Sequence, residues 1–168
     1  MSNPTDWRAR AVALHKDPRP AIGGKRVSAL ATTRFDVRHP HDDTPVATLP
    51  DCAEADVDRA VAAARRAFES RIWSELAPSA RAEHLCALAD QVEAHADELA
   101  LLDSLEMGMP VTLGAADLRD AAAGVRTTAQ LAAGIDDRLL PSAPGTLAMA
   151  RRMPHGVVGA ITPWNFPV

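Results

Sequence analysis

Gly156-Val157-Val158-Gly159-Ala160-Ile161-Thr162-Pro163-Trp164-Asn165-Phe166-Pro167 is a β-branched apolar run that passes straight into a rigid aromatic loop. The run from Gly156 to Ile161 contains no polar residue, the pattern of a strand buried on both faces of a parallel sheet. In open α/β sheets, ligands sit beyond the carboxyl ends of such strands, which is where Thr162 to Pro167 falls. Pro163 and Pro167 stiffen the loop, and Asn165 between them offers an amide N–H donor at a fixed place. A donor of this kind, aimed where negative charge develops on a substrate oxygen, is worth about 3–4 kcal/mol to a transition state. The competing reading is a strand-ending turn whose Trp164 and Phe166 fill a core, the commoner fate of apolar aromatics.

Upstream of that run the chain changes period several times. Trp7, Ala11 and Leu14 recur at helical spacing, which predicts a short amphipathic helix over 6–16, ended by Pro18 and Pro20. Short extended pieces follow at 21–22, 26–27, 33–37 and 45–49, punctuated by Gly23-Gly24, Pro40 and Asp42-Asp43, and predict a small antiparallel sheet. Three helices come next. The first has an apolar face of Val57, Ala60, Val61, Ala64 and Phe68, with acids near its start and Arg65-Arg66 near its end. The second opens at Pro78-Ser79 and carries Leu85, Leu88, Val92, Ala96, Leu99 and Leu102 as far as Gly108. Pro110 forbids simple continuation. The third carries Leu118, Ala122, Val125, Ala129 and Ala132 and ends at Gly134. The turn cluster Pro141-Ser142-Ala143-Pro144-Gly145, flanked by 138–140 and 146–152, predicts a hairpin or crossing strands. Helices that precede a first parallel strand belong to a βαβ domain whose other strands come later, so the chain reads as the leading piece of a larger domain.

Composition narrows the function classes. Eighteen basic residues are scattered among 22 acidic ones for a net charge of −4, without the one-signed stripe that nucleic acid requires. No apolar run approaches the roughly 20 residues of a membrane span, and the amino terminus has no signal-peptide core. Cys52 and Cys86 make no disulfide framework, so a reducing cytoplasm is the expected location. His84 and Cys86 point to different sides of one helix, and His15, His39, His41, His95 and His155 lack ligand spacing, so no metal site is expected.

The segment Pro154-His155-Gly156 through Pro167 resembles the cofactor-domain signature of the aldehyde dehydrogenase superfamily. The resemblance extends upstream. It includes Asp56 to Val61 with Ala67-Phe68; Trp73, Pro78, Arg81 and Leu85; Ala94-His95-Ala96-Asp97-Glu98-Leu99-Ala100; Gly108 with Pro110; and Pro141 with Gly145. It covers about Ala21 to Val168. The N-terminal helix and residues 91–102 are further similar to the branch that oxidises γ-glutamylaminobutyraldehyde and related amino-aldehydes. The resemblance implies the N-terminal part of an α/β, Rossmann-type cofactor domain. Its expected divisions are a helical extension over 1–20, cofactor-domain residues 21–137, an oligomerisation hairpin over 138–153, and the first cofactor-domain strand with the active-site loop over 154–168.

In function, the resemblance implies oxidation of an aldehyde to a carboxylic acid with NAD or NADP through a cysteine thiohemiacetal and thioester. Asn165 matches the oxyanion-hole asparagine, while Ile161, Thr162, Pro163, Trp164 and Asn165 match the positions lining the nicotinamide-ribose side of the cofactor site. The hairpin implies a homodimer or homotetramer. In the family the nucleophilic cysteine, the general-base glutamate, the cofactor lysine and the glycine motif all follow the loop. Neither Cys52 nor Cys86 matches the nucleophile, so this chain alone is expected to be inactive; a non-catalytic association module or a pseudogene product is the alternative. Departures from the family pattern are Glu106 for aspartate, Met109 for lysine, and Thr127-Thr128 for an aromatic pair on the third helix.

Overall fold

The computed structural model describes residues 6–132 and 134–165. Its elements, in order, are α1 (Trp7–Ala13), β1 (Ala21–Ile22), β2 (Lys25–Arg26), β3 (Arg34–Arg38), β4 (Pro45–Pro50), α2 (Glu54–Glu69), α3 (Pro78–Ala94), α4 (Ala96–Met107), α5 (Val111–Ala132), β5 (Arg138–Leu140) and β6 (Ala148–Ala150).

Helix α1 is shorter than expected. Asp6 caps it by accepting the Ala9 N–H at 3.1 Å, and Leu14 already has an extended backbone, four residues before Pro18. The helix docks through Arg10, which stacks on Trp7 and pairs with Asp97 of α4 at 2.8 Å. The extended pieces form two separate antiparallel ladders, β1–β2 and β3–β4, and not one sheet. In the second ladder Arg34 pairs with Pro50 and Asp36 with Thr48, whose hydroxyl donates to the Asp36 carboxylate at 2.7 Å.

The long second helix of the sequence divides at His95, where φ −106° and ψ 12° interrupt the helical path. Local chemistry explains the break. Asp97 and Glu98 form an acidic first turn for α4, and the His95 ring lies 3.1 Å from the Glu98 carboxylate, so residues 95–98 start a new helix more readily than they continue the old one. Helix α5 then packs against both α3 and α4. The core lies in that packing, with Ala96, Ala100, Ala115 and Leu118 at its centre and Val92, Leu99 and Val111 around them. Small residues permit close approach: a Cβ at Gly114 would lie 3.3 Å from the Ala100 Cβ and 3.4 Å from its Cα. Arg126 ties α5 to α3 from outside, donating to both Glu93 carboxylate oxygens at 2.9 Å and to Asp90 at 2.6 Å; the Glu93 carboxyl is held below its ordinary range as a result.

Helix α2 departs from expectation. Val57, Val61 and Phe68, which the helical period assigns to a buried face, are exposed, and the one buried residue of α2 is Asp56. Its carboxylate, 2% exposed, accepts the N–H groups of Leu30 at 2.8 Å and Ala31 at 3.2 Å, with the Arg59 guanidinium at 3.3 Å. These contacts, led by the Leu30 N–H, hold the Asp56 carboxyl below its ordinary pKa. A carboxyl depressed in the folded state gives stability that is present above its unfolded pKa and lost as pH falls through the folded value. Asp56→Asn is therefore expected to lower Tm by roughly 5 °C at neutral pH, because an amide cannot accept both N–H groups from the same positions. The gap between the two proteins should close below about pH 4. A constant gap from pH 7 to pH 3, followed by circular dichroism, would show that the Asp56 charge contributes nothing.

The total accessible surface is 12590 Å², against about 8,000 Å² for a compact monomer of this chain length. Large apolar side chains contribute to it, including Ile72, Leu139, Leu147, Met149, Val158 and Ile161. Surface of this kind and extent is characteristically covered by further protein.

Candidate active-site loop

The hairpin fixes how the chain enters the loop. β5 and β6 pair in the register Arg138↔Ala150, Leu139↔Met149, Leu140↔Ala148, with the turn closed by the Ser142 hydroxyl donating to the Thr146 carbonyl at 2.6 Å. At the open end Asp137 accepts the Arg152 N–H at 2.9 Å and faces the Arg151 guanidinium at 3.8 Å, while Arg152 Nε donates to the Asp136 carbonyl at 3.3 Å. Asp136-Asp137 and Arg151-Arg152 lie at equal distances from the turn. Their opposite charges are the sequence signal for this clamp, though the aspartates do not stand out until the register is known.

Beyond the clamp the chain passes Met153, Pro154 and His155 and turns at Gly156, whose φ is +98°. There it lies against the end of α2: a Cβ at Gly156 would sit 3.3 Å from Arg65 Nη1 and 3.6 Å from the Phe68 ring. The expected strand from Gly156 to Ile161 is not formed. No strand among the described residues pairs with it, and Val158 and Ile161 are exposed, Ile161 completely. A parallel strand gains its hydrogen bonds only from neighbouring strands, and none is available among the described residues to supply them.

The residues singled out in the sequence are contiguous and differ in environment. Ile161, Thr162, Pro163 and Trp164 are exposed, Trp164 at 82%, whereas Asn165 is half-buried in a turn. Phe166 lies outside the described residues, so its part in a core is not visible. Hydrogen bonds among the described residues leave the backbone of 161–165 unused. Among the described residues, the main-chain groups of 161–165 are therefore open to a ligand that brings its own donors and acceptors.

An open cleft of about 850 Å³ lies beside this region, between the end of α2, the 71–75 loop and residues 151–154. None of Ile161, Thr162, Pro163, Trp164 and Asn165 lines it. Its arginines are already engaged: Arg81 donates to the Leu76 carbonyl at 2.7 Å, Arg71 faces Glu75 at 3.9 Å, and Arg151 and Arg152 serve the hairpin clamp. Trp73 on its rim stacks obliquely on His84, their ring centres 6.0 Å apart. Cys86 is half-buried in α3 and Cys52 is exposed before α2. Among the described residues no group of three His, Cys, Asp or Glu side chains is placed to hold a metal ion, and no helix is long and apolar enough to cross a membrane. Thr127 and Thr128 are exposed on α5 and turn their hydroxyls back onto the carbonyls of Ala123 and Gly124, each at 3.0 Å.

The Pro163-Trp164-Asn165 loop follows a helix–hairpin scaffold, and comparison with known proteins identifies the class to which such a chain belongs. The aldehyde dehydrogenase family model matches residues 27–168, and the chain belongs to that family. It is 40% identical over 151 residues to a geranial dehydrogenase of Castellaniella defragrans, covering 88% of this chain and 31% of that protein. To the NADP/NAD-dependent aldehyde dehydrogenase PuuC of Escherichia coli it is 36% identical over 163 residues, covering 96% of this chain and 33% of the relative. The fold superimposes on the Pseudomonas syringae indole-3-acetaldehyde dehydrogenase AldA, determined in complex with NAD+, with a TM-score of 0.92 and 36% identity over 96% of this chain and 33% of that one. The chain thus spans about a third of the length of the relatives it matches.

Proposed function

We propose that this chain supplies the oxyanion-stabilising and nicotinamide-facing part of an NAD(P)+-dependent aldehyde dehydrogenase. The observation that carries the reading is Asn165, half-buried in a loop whose preceding residues 161–164 are exposed, within the region matched to the family. The Asn165 side-chain N–H donates to the carbonyl oxygen of the aldehyde as a cysteine thiolate, supplied outside this chain, adds to the carbon and charge gathers on oxygen. Backbone groups of Ile161 and Thr162 and the faces of Pro163 and Trp164 hold the nicotinamide-ribose end. When bound, NAD+ or NADP+ accepts the hydride that converts the aldehyde to the acyl level. Amino-aldehydes are the first substrate class to test, given the similarity of the N-terminal helix and residues 91–102 to the branch that uses them. The reducing cytoplasm is the location that suits a thiolate mechanism and two free cysteines.

On this reading residues 1–168 alone do not turn over. Purified chain mixed with an amino-aldehyde and NAD+ or NADP+ is expected to form no reduced nicotinamide above the blank, because neither Cys52, in the segment before α2, nor Cys86, on α3, matches the family's nucleophile position. Sustained reduction by this chain would overturn the assignment of roles.

The exposed hairpin favours a second reading, a non-catalytic association module. Leu139, Leu147 and Met149 present an apolar surface that a second copy would cover, giving a dimer or tetramer. The two readings separate at the DNA following codon 168. In-frame coding for a cysteine, a glutamate, a lysine and a glycine motif supports the enzyme; an immediate stop supports the module.

A further inference from the structure

We propose that Met109 is an oxidation site built into the junction of α4 and α5: conversion of its thioether to the sulfoxide by a peroxide loosens the packing of the two helices. Met109 is one of the departures from the family pattern, and its place in the chain is narrow. Gly108 ends α4 with a φ of +81°, and the Pro110 carbonyl accepts the N–H groups of Leu113 and Gly114 at 2.9 and 3.1 Å, opening α5. Met109 is the single residue between them, so both helix ends fix its backbone.

From there its sulfur reaches the closest approach of the two helices. A Cβ at Gly114 would lie 3.3 Å from Met109 Sδ, 3.3 Å from Ala100 Cβ and 3.4 Å from Ala100 Cα. Gly114 and Ala100 are buried, Ala100 completely, and Ala100 belongs to the centre of the helical core. The thioether thus borders the hollow that Gly114 leaves by having no side chain, a role that suits a soft, unbranched group. All of these contacts lie within residues 100–114.

In the reaction a sulfur lone pair attacks one oxygen of hydrogen peroxide. The O–O bond breaks, an S–O bond forms and water leaves, the sulfur losing the two electrons that the peroxide gains. The product carries a strong acceptor oxygen. Ala100 Cα and Cβ and the Gly114 methylene offer it no donor, so the sulfoxide either is buried unpaired or leaves the hollow empty. Met149 and Met153 contrast with it. They are 58% and 72% exposed among the described residues, where a sulfoxide meets water at little cost.

The test treats the full-length protein carrying this segment with graded hydrogen peroxide. Peptide mass spectrometry follows oxygen gain at each methionine, and thermal unfolding gives Tm. Tm is expected to fall by about 3 °C in step with oxidation of Met109 and not of Met149 or Met153. Met109→Leu, which keeps the volume, should remove that fall, while cysteine oxidation moves both proteins alike and cancels. Met109→Gln, polar and of similar length, should lower Tm by a similar amount with no peroxide present. The proposal is overturned if Met109 stays a thioether while Met149 and Met153 are fully oxidised, if its sulfoxide forms with Tm unchanged, or if Met109→Leu loses as much as the parent. Should Met109→Leu fail to accumulate, Met109→Lys is equally inert to peroxide at this position and must show the same protection.

Discussion

Replacing Asn165 with alanine in the full-length protein is expected to lower kcat for aldehyde oxidation by about 10²–10³ and leave cofactor affinity nearly unchanged. The asymmetry follows from what the amide touches. A carboxamide N–H gains little from a neutral carbonyl oxygen and much from the oxyanion that replaces it, so its loss falls on the transition state and not on ground-state binding. The cofactor contacts proposed for the loop come mainly from the Ile161 and Thr162 backbone and from the faces of Pro163 and Trp164, which the substitution leaves in place. Steady-state kinetics with an amino-aldehyde, together with NAD+ titration by protein fluorescence, measure both quantities. A loss below about fivefold would mean that the amide serves the scaffold, and the site assignment would fall with it.

Leu118→Ala is expected to be the most damaging single truncation in the helical layer, costing about 3 kcal/mol and lowering Tm by roughly 6–12 °C. Leu118 is 2% exposed and sits among Ala96, Ala100 and Ala115, side chains too small to move into the space a leucine leaves. The buried hydrophobics of the described residues are six alanines with Leu101 and Leu118. Each of those leucines therefore carries a large share of the burial that holds α3, α4 and α5 together. Thermal unfolding of the two proteins by circular dichroism gives the difference. A shift below about 2 °C would mean that the layer repacks freely.

The helices were legible because their evidence is local. Pro78 at the first turn of α3, Gly108 and Pro110 around the end of α4, and the 3.6-residue recurrence through Leu118, Ala122, Val125 and Ala129 all act within a few residues. The hairpin was legible for the same reason, since a Pro/Gly-rich turn between two short apolar runs admits few other paths. The break at His95 was harder to see, because apolar periodicity runs unbroken across it; only the geometry of the His95 ring and the Glu98 carboxylate shows where one helix yields to the next.

Burial was the poorer inference. The apolar faces of α2 and of Gly156–Ile161 are genuine features of the sequence, yet both are open among the described residues. Periodicity tells which side of an element is apolar. It is silent on whether a partner is there to cover it. Asp56 shows the converse. A polar residue is buried because two N–H groups from the 30–31 segment converge on it, and that convergence joins residues about 25 positions apart.

By itself the sequence determined the order of elements, the turns between them, and a loop in which Pro163-Trp164-Asn165 belongs to the aldehyde dehydrogenase family, all properties carried by residues close along the chain. Only the tertiary structure decided that two ladders form in place of one sheet, that Asp56 and Asp137 act as clamps, and that Gly156 rests on Phe68. Those outcomes depend on hydrogen bonds and contacts between distant segments, and no local pattern of residues encodes which distant segment arrives.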